Sequence, residues 1–163
     1  MPVYHFTLHA YRSWTPAHRR GYVRRGKGIL PTDPEMAEFY ARVAKQPPVI
    51  FTAQIQKILI NTARAECAAQ NWRLYAAATD RTHVHLPISW KTFIPWNDVI
   101  KRLKNILSYR LGRDLGITAR RWFVRDQSRR RVIDQAHFEY LVQNYFPKHN
   151  GAGWYAPSPA LRT

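Results

Sequence analysis

The chain is short of cysteine, of acidic residues and of any long apolar run. A single cysteine, Cys67, stands among 163 residues, which excludes an internal disulfide and a cysteine-rich zinc site. Its place on a helical pattern reads as an ordinary core thiol, in keeping with a reducing cytoplasm. No apolar stretch approaches the length of a membrane span, and the start goes directly into a strand-like pattern, so we expect neither a signal peptide nor a transmembrane helix. Only 10 Asp and Glu oppose 26 Lys and Arg, a formal charge of +16. That imbalance points to a polyanionic partner, nucleic acid first and an acidic membrane surface second.

The positive charge is concentrated in two segments. Residues 12–27 carry Arg12, Arg19, Arg20, Arg24, Arg25 and Lys27 with no acid between them. Residues 101–131 carry eleven cations, among them Lys101, Arg102, Arg120, Arg121, Arg129, Arg130 and Arg131, against Asp114 and Asp126. Together they read as two walls of a phosphate-binding groove, densest at Arg129–Arg131. With 45% hydrophobic and 13% aromatic residues the chain has the means to fold as one domain.

Alternation over "VYHFTLHAY" (3–11) predicts a strand with Tyr4, Phe6, Leu8 and Ala10 on one face and His5, Thr7 and His9 on the other. A basic insertion, 12–50, follows and contains a short helix, "TDPEMAEFYARVA", capped by Thr32 or Asp33. A helix over 52–70 stops at Asn71, and strands over 72–79 and 83–90 turn at Asp80-Arg81. Residues 97–113 form the clearest helix: Val99, Ile100, Leu103, Ile106, Leu107 and Leu111 make its buried stripe, and Asn97 or Asp98 its cap. "RRWFVRDQSRRRVID" supplies a fourth strand or hairpin. A last helix runs from Asp134 to Pro147, and a Gly- and Pro-rich tail ends the chain. The order predicts a ferredoxin-like α+β fold, an antiparallel sheet with helices on one face, over residues 1–155, with a tail at 156–163.

Two features carry chemistry. His83 and His85 share one face of a strand, close enough to converge on one ion. Pro87 in the same strand removes a ladder donor and requires a bulge or an edge position. On the last helix His137, Tyr140 and Asn144 gather on a narrow stripe beside the apolar face of Phe138, Leu141, Val142 and Tyr145. Taken singly each signal is ordinary: a polar strand face, a half-buried aromatic, a surface amide. Taken together, two imidazoles and an amide oxygen leave an open position on a divalent cation, and a tyrosine hydroxyl near it is a nucleophile. Imidazoles suit Mn²⁺, Co²⁺ or Zn²⁺, whereas Mg²⁺ prefers oxygen but is abundant.

Histidine–hydrophobe–histidine on a strand, followed by a tyrosine on a late helix, resembles the HUH single-tyrosine transposases, including the REP-associated tyrosine transposases of bacteria. "YHFTLHAYRSW", "THVHLPISW", "IKRLKNILSYRLGR" and "FEYLVQNYFPKHNGAGW" come in that family's order. The resemblance implies a metal-dependent endonuclease and strand transferase acting on single-stranded DNA, often hairpin-bearing, through a 5′-phosphotyrosine. It places the metal on His83 and His85, the nucleophile at Tyr140 and the third ligand at Asn144, with Gln143 a weaker alternative. Mg²⁺ or Mn²⁺ is the expected ion. A homodimer in which one tyrosine helix serves the partner's site, and a bacterial, nucleoid-associated cytoplasmic location, go with it. The alternatives are a non-catalytic module gripping structured single strands, with Trp122 the best stacking candidate, and an RNA-binding α+β protein.

Overall fold

The computed structural model describes residues 1–24 and 26–157; Arg25 and the last six residues of the tail lie outside the described residues. β1 (Val3–His9) leads through a hairpin, β2 (Tyr22–Arg24) and β3 (Gly28–Leu30), to α1 (Pro34–Val43). Then come α2 (Ala53–Ala69), β4 (Arg73–Leu74), β5 (Ala76–Thr79), β6 (His83–Ser89), α3 (Trp96–Leu115), β7 (Ser128–Arg131) and α4 (Gln135–Tyr140). A π-helical turn (Leu141–Tyr145) and a 3₁₀ turn (Phe146–Lys148) prolong α4 before β8 (Gly153–Tyr155).

The principal sheet runs β7-β1-β6-β5-β8, with β4 also on β6, and every pair is antiparallel. Helix crossovers β1-α2-β5 and β6-α3-β7 interleave these strands, the ferredoxin-like order expected from the sequence. Strand alternation then dictates the two faces. Phe6, Leu8, Val84, Leu86 and Ile88 enter one core with Leu59 of α2 and Leu103 and Leu107 of α3. The opposite face carries His5, Thr7 and His85, all buried. It is partly covered as well: Phe138, Leu141 and Phe146 pack on Val3, Tyr75, Ala76 and Ala78 in a second, smaller core. The α4 segment therefore lies across the sheet from α2 and α3.

Pro87 has the bulge it requires. Leu74 pairs with Ile88 and Ala78 with His85, so the β4–β5 side uses one residue more than β6 between those pairs. The Tyr75 N–H still donates to the Pro87 carbonyl at 3.1 Å. The surplus residue kinks β4–β5 away from a position with no N–H to give.

Some boundaries differ from the sequence reading. Asp33 caps α1 through the Met36 N–H, and Asn71, at φ 57°, ends α2, as expected. In α3 neither Asn97 nor Asp98 is the cap: the helix begins a residue earlier, after Pro95, whose fixed φ suits a helix entry. The last helix leaves α geometry at Leu141, six residues before Pro147, through the wider π turn. Trp122 is buried in the main core and is not a stacking platform.

Candidate metal centre

His83 and His85 stand on β6, and the third imidazole beside them is His149, immediately after the 3₁₀ turn. One ring nitrogen from each lies within 4.8 Å of the others. Nitrogens held at about 2.1 Å from one ion stand about 3.4 Å apart in tetrahedral geometry, so small side-chain adjustments suffice.

The outer hydrogen bonds are the more telling observation. His83 Nδ1 lies 3.0 Å from Asp80 Oδ1. Burial opposes ionisation of Asp80, yet hydrogen bonds from His83 and Thr82 hold its carboxyl well below the usual range. An ionised carboxylate only accepts, so His83 Nδ1 carries the proton. His149 Nδ1 lies 3.1 Å and 3.2 Å from the carbonyls of Tyr145 and Phe146. Carbonyls also only accept, so His149 likewise donates from Nδ1. Both residues then present an Nε2 lone pair, the arrangement in which second partners orient metal-binding histidines.

His85 links the two ends. Its Nε2 is 2.9 Å from His149 Nε2, and its Nδ1 is 2.8 Å from His5 Nε2 and 3.0 Å from Thr7 Oγ1. Without a cation, His85 Nε2–H donates to His149, and His5 or Thr7 donates to Nδ1. Presenting all three Nε2 lone pairs requires the His85 proton on Nδ1, where His5 Nε2 and Thr7 Oγ1 are placed to accept it. Burial, then the neighbouring imidazoles, lowers the His85 pKa to about 2, so its ring is neutral at physiological pH. His5 is lowered to about 4, chiefly by burial and then by Arg130. These donors fit a divalent cation.

Two predictions follow from this shell. Asp80→Asn and His5→Ala, which leave the three ligands in place, each weaken Mn²⁺ or Zn²⁺ binding about 10–100-fold in a calorimetric titration. The depressed His5 and His85 pKa values also make the metal-free protein acid-labile. The unfolded state binds the extra protons once pH falls below about 6.5, so stability is greatest above that value. It declines toward pH 4 by up to about 1.4 kcal/mol per pH unit for each histidine. A urea midpoint unchanged from pH 7 to pH 5 in chelator contradicts the neutral, buried assignment.

His149 is positioned by the loop that follows it. A Cβ on Gly151 would overlap the Thr79 carbonyl oxygen. Ala152 N–H donates to Gln56 Oε1 at 2.8 Å, and its carbonyl accepts from Thr79 N–H at 3.0 Å and Thr79 Oγ1–H at 2.7 Å. Gly151→Ala is expected to cost about 1–3 kcal/mol in thermal unfolding and to weaken metal binding by displacing His149.

The other expected site residues are dispersed. Tyr140 ends α4 on its outer stripe, 51% exposed, and Gln143 and Asn144 are exposed on the π turn. The tyrosine against the histidines is Tyr145, its ring centroid 5.3 Å from that of His85 and 5.1 Å from that of His149. It belongs to the apolar face of the helix, the face that meets the sheet. The third donor beside His83 and His85 is thus a His149 nitrogen, where the sequence reading has the Asn144 amide oxygen. Its signal in the sequence is weak, a histidine after a proline-containing turn, out of phase with the helix.

The basic residues do not form one groove. On edge strand β7, Arg130 pairs with His5 and so shares the histidine face, whereas Arg129 and Arg131 face the other way. Lys101 and Arg102 lie on the solvent side of α3, across the sheet from the histidines, and Arg102 Nε donates to Glu66 at 2.8 Å. Arg120 is bound to the carbonyls of Pro47 and Pro48, and Arg121 lies over the Tyr11 ring. Arg19, Arg20 and Arg24 are exposed around the β2–β3 hairpin.

The fold and this cluster define an α+β protein with a candidate histidine metal centre. No protein family, curated relative or solved structure matches the chain. No described helix is long and apolar enough to cross a membrane.

Proposed function

We propose that the chain is a metal-dependent single-stranded DNA endonuclease and strand transferase that acts through a phosphotyrosine. The observation that carries this reading is the set of three oriented imidazoles, His83, His85 and His149, with a tyrosine ring against them and Arg130 on the same face. A divalent cation held there supplies Lewis-acid polarisation of a phosphodiester oxygen. All-imidazole donors favour Mn²⁺ or Zn²⁺ over Mg²⁺, which asks for oxygen ligands.

The protein's own residues do the rest. Arg130 attracts the phosphate backbone to the histidine face. A tyrosine Oη attacks phosphorus, the P–O3′ bond breaks, the tyrosine proton is lost to a base, and the departing 3′ oxygen is protonated. The product is a 5′-phosphotyrosine that a second 3′-hydroxyl can reverse. Tyr140 is the nucleophile the transposase resemblance implies; lying away from its own histidines, it suits the metal centre of a second copy. Tyr145 is the tyrosine within reach in the same chain.

The test is a denaturing gel of the protein with labelled single-stranded hairpin DNA and Mn²⁺, beside Tyr140→Phe and Tyr145→Phe. The expected result is a labelled protein band that chelator abolishes and one of the two variants lacks. A band present in both variants and in chelator contradicts the reading. The exposed position of Tyr140 favours one second reading, a module that binds structured single strands without cutting them. Salt-sensitive binding with no adduct over a diverse oligonucleotide pool supports it.

A further inference from the structure

A second feature lies at the other end of β6, five residues from His85, or roughly 17 Å along the strand. A cavity of about 990 Å³ opens there between the first residues of the chain, the start of β4 and the 91–95 loop that leads into α3. Its aromatic lining comes from Tyr4, Trp90, Phe93 and Trp96, its cations are Arg73 and Lys91, and none of its lining residues is acidic. Trp90 stacks on Tyr4 with centroids 5.3 Å apart, and its Nε1–H donates to the Ile94 carbonyl at 2.9 Å, which fixes the loop. Phe93, at the lip, is fully exposed. Arg129 of the edge strand lies 4.2 Å over the Trp96 ring.

Core packing accounts for Trp90 and Tyr4 but not for Phe93, an aromatic ring held in solvent on a basic rim. Aromatic faces beside cations, with no carboxylate, match a base and its phosphate. Paired bases are closed to such stacking, so the strand must be unpaired. The edge strand joins the two features: alternation along β7 sends Arg130 to the histidine face and Arg129 to the opposite one, over the ring of Trp96 at the cavity wall. We infer that the cavity binds an unpaired nucleotide of a single-stranded DNA, its base stacked on Phe93 and Trp96 and its phosphate held by Lys91 and Arg129. The inference rests on the single-stranded DNA reading and is independent of the metal chemistry.

The test measures binding of a fluorescently labelled oligothymidylate by anisotropy in chelator, where the histidine cluster has no ion to hold. Phe93→Ala, whose side chain packs into no core, is expected to weaken binding about tenfold, the loss of one stacked base. Lys91→Ala is expected to lower the salt slope by about 0.7, one single-strand phosphate contact. Both effects persist in a His83→Ala, His85→Ala background, and duplex DNA shows neither. Unchanged oligothymidylate affinity in Phe93→Ala overturns the inference and leaves the metal reading standing. So does a loss seen only with an oligoribonucleotide. A parent protein that binds no single-stranded DNA overturns both readings.

Discussion

Replacing His83 and His85 together by alanine should reduce Mn²⁺ or Zn²⁺ affinity by more than about 100-fold, beyond the loss of any single outer-shell partner. The size of the loss follows from which atoms remain. His149 keeps its orientation, because its Nδ1 is fixed by the Tyr145 and Phe146 carbonyls rather than by the strand. One imidazole is nevertheless a weak site. Folding should survive, since the core sides of β1 and β6 are untouched. Losing His85 relieves a buried polar group and also strands His5, whose 2.8 Å partner is gone; an unsatisfied buried group costs about 1–3 kcal/mol. Binding and melting therefore separate. Calorimetry shows the loss of the ion while circular dichroism shows a retained fold, and an equal collapse of both contradicts the assignment.

The second large effect concerns the tyrosine. For the proposed phosphotyrosine chemistry, single variants with phenylalanine identify the nucleophile, and mixing identifies the geometry. If Tyr140 serves a second copy, Tyr140→Phe and the double-histidine variant are each inactive alone, yet their mixture regains up to about a quarter to a half of adduct formation. One chain of a mixed dimer then supplies the intact imidazoles and the other the hydroxyl. If Tyr145 acts within its own chain, Tyr145→Phe is inactive and no mixture with the double-histidine variant recovers. The ring contact of Tyr145 with His85 and His149 makes the second outcome geometrically direct. The exposure of Tyr140 makes the first one accessible. Recovery is read from the labelled band on a denaturing gel, quantified against the parent protein.

Much of the fold was legible because periodicity reports local burial. The alternation in β1 and β6 separated Phe6 and Leu86 from His5 and His85 correctly, and the stripe of α3 matched its buried residues except for Ile106, which is partly exposed. The proline in β6 called for a bulge or an edge position, and the bulge is what the sheet has. The apolar face of the last helix was also correct, since Phe138 and Leu141 are buried. That same face carries Tyr145, and the polar stripe bearing Tyr140 and Asn144 points outward. Polar patterning marked the solvent side of the helix, away from the chain's own histidines.

The rest depended on contacts that no sequence spacing encodes. His149 reaches His85 across 64 residues because Gly151 and Ala152 close against Thr79 and Gln56. Asp80, read only as a turn residue, is the carboxylate that orients His83. The basic groove failed for a related reason: charge counts along a chain ignore strand alternation, which divides Arg129 from Arg130, and the sheet itself, which separates α3 from the histidines.

Anomalous diffraction from crystals soaked in Mn²⁺ would locate an ion held by the three histidines. One strong peak is expected about 2.1–2.3 Å from Nε2 of His83, His85 and His149, with the His85–His149 hydrogen bond opened. A peak elsewhere, or three imidazoles still bonded to one another at saturating ion, would contradict the metal centre.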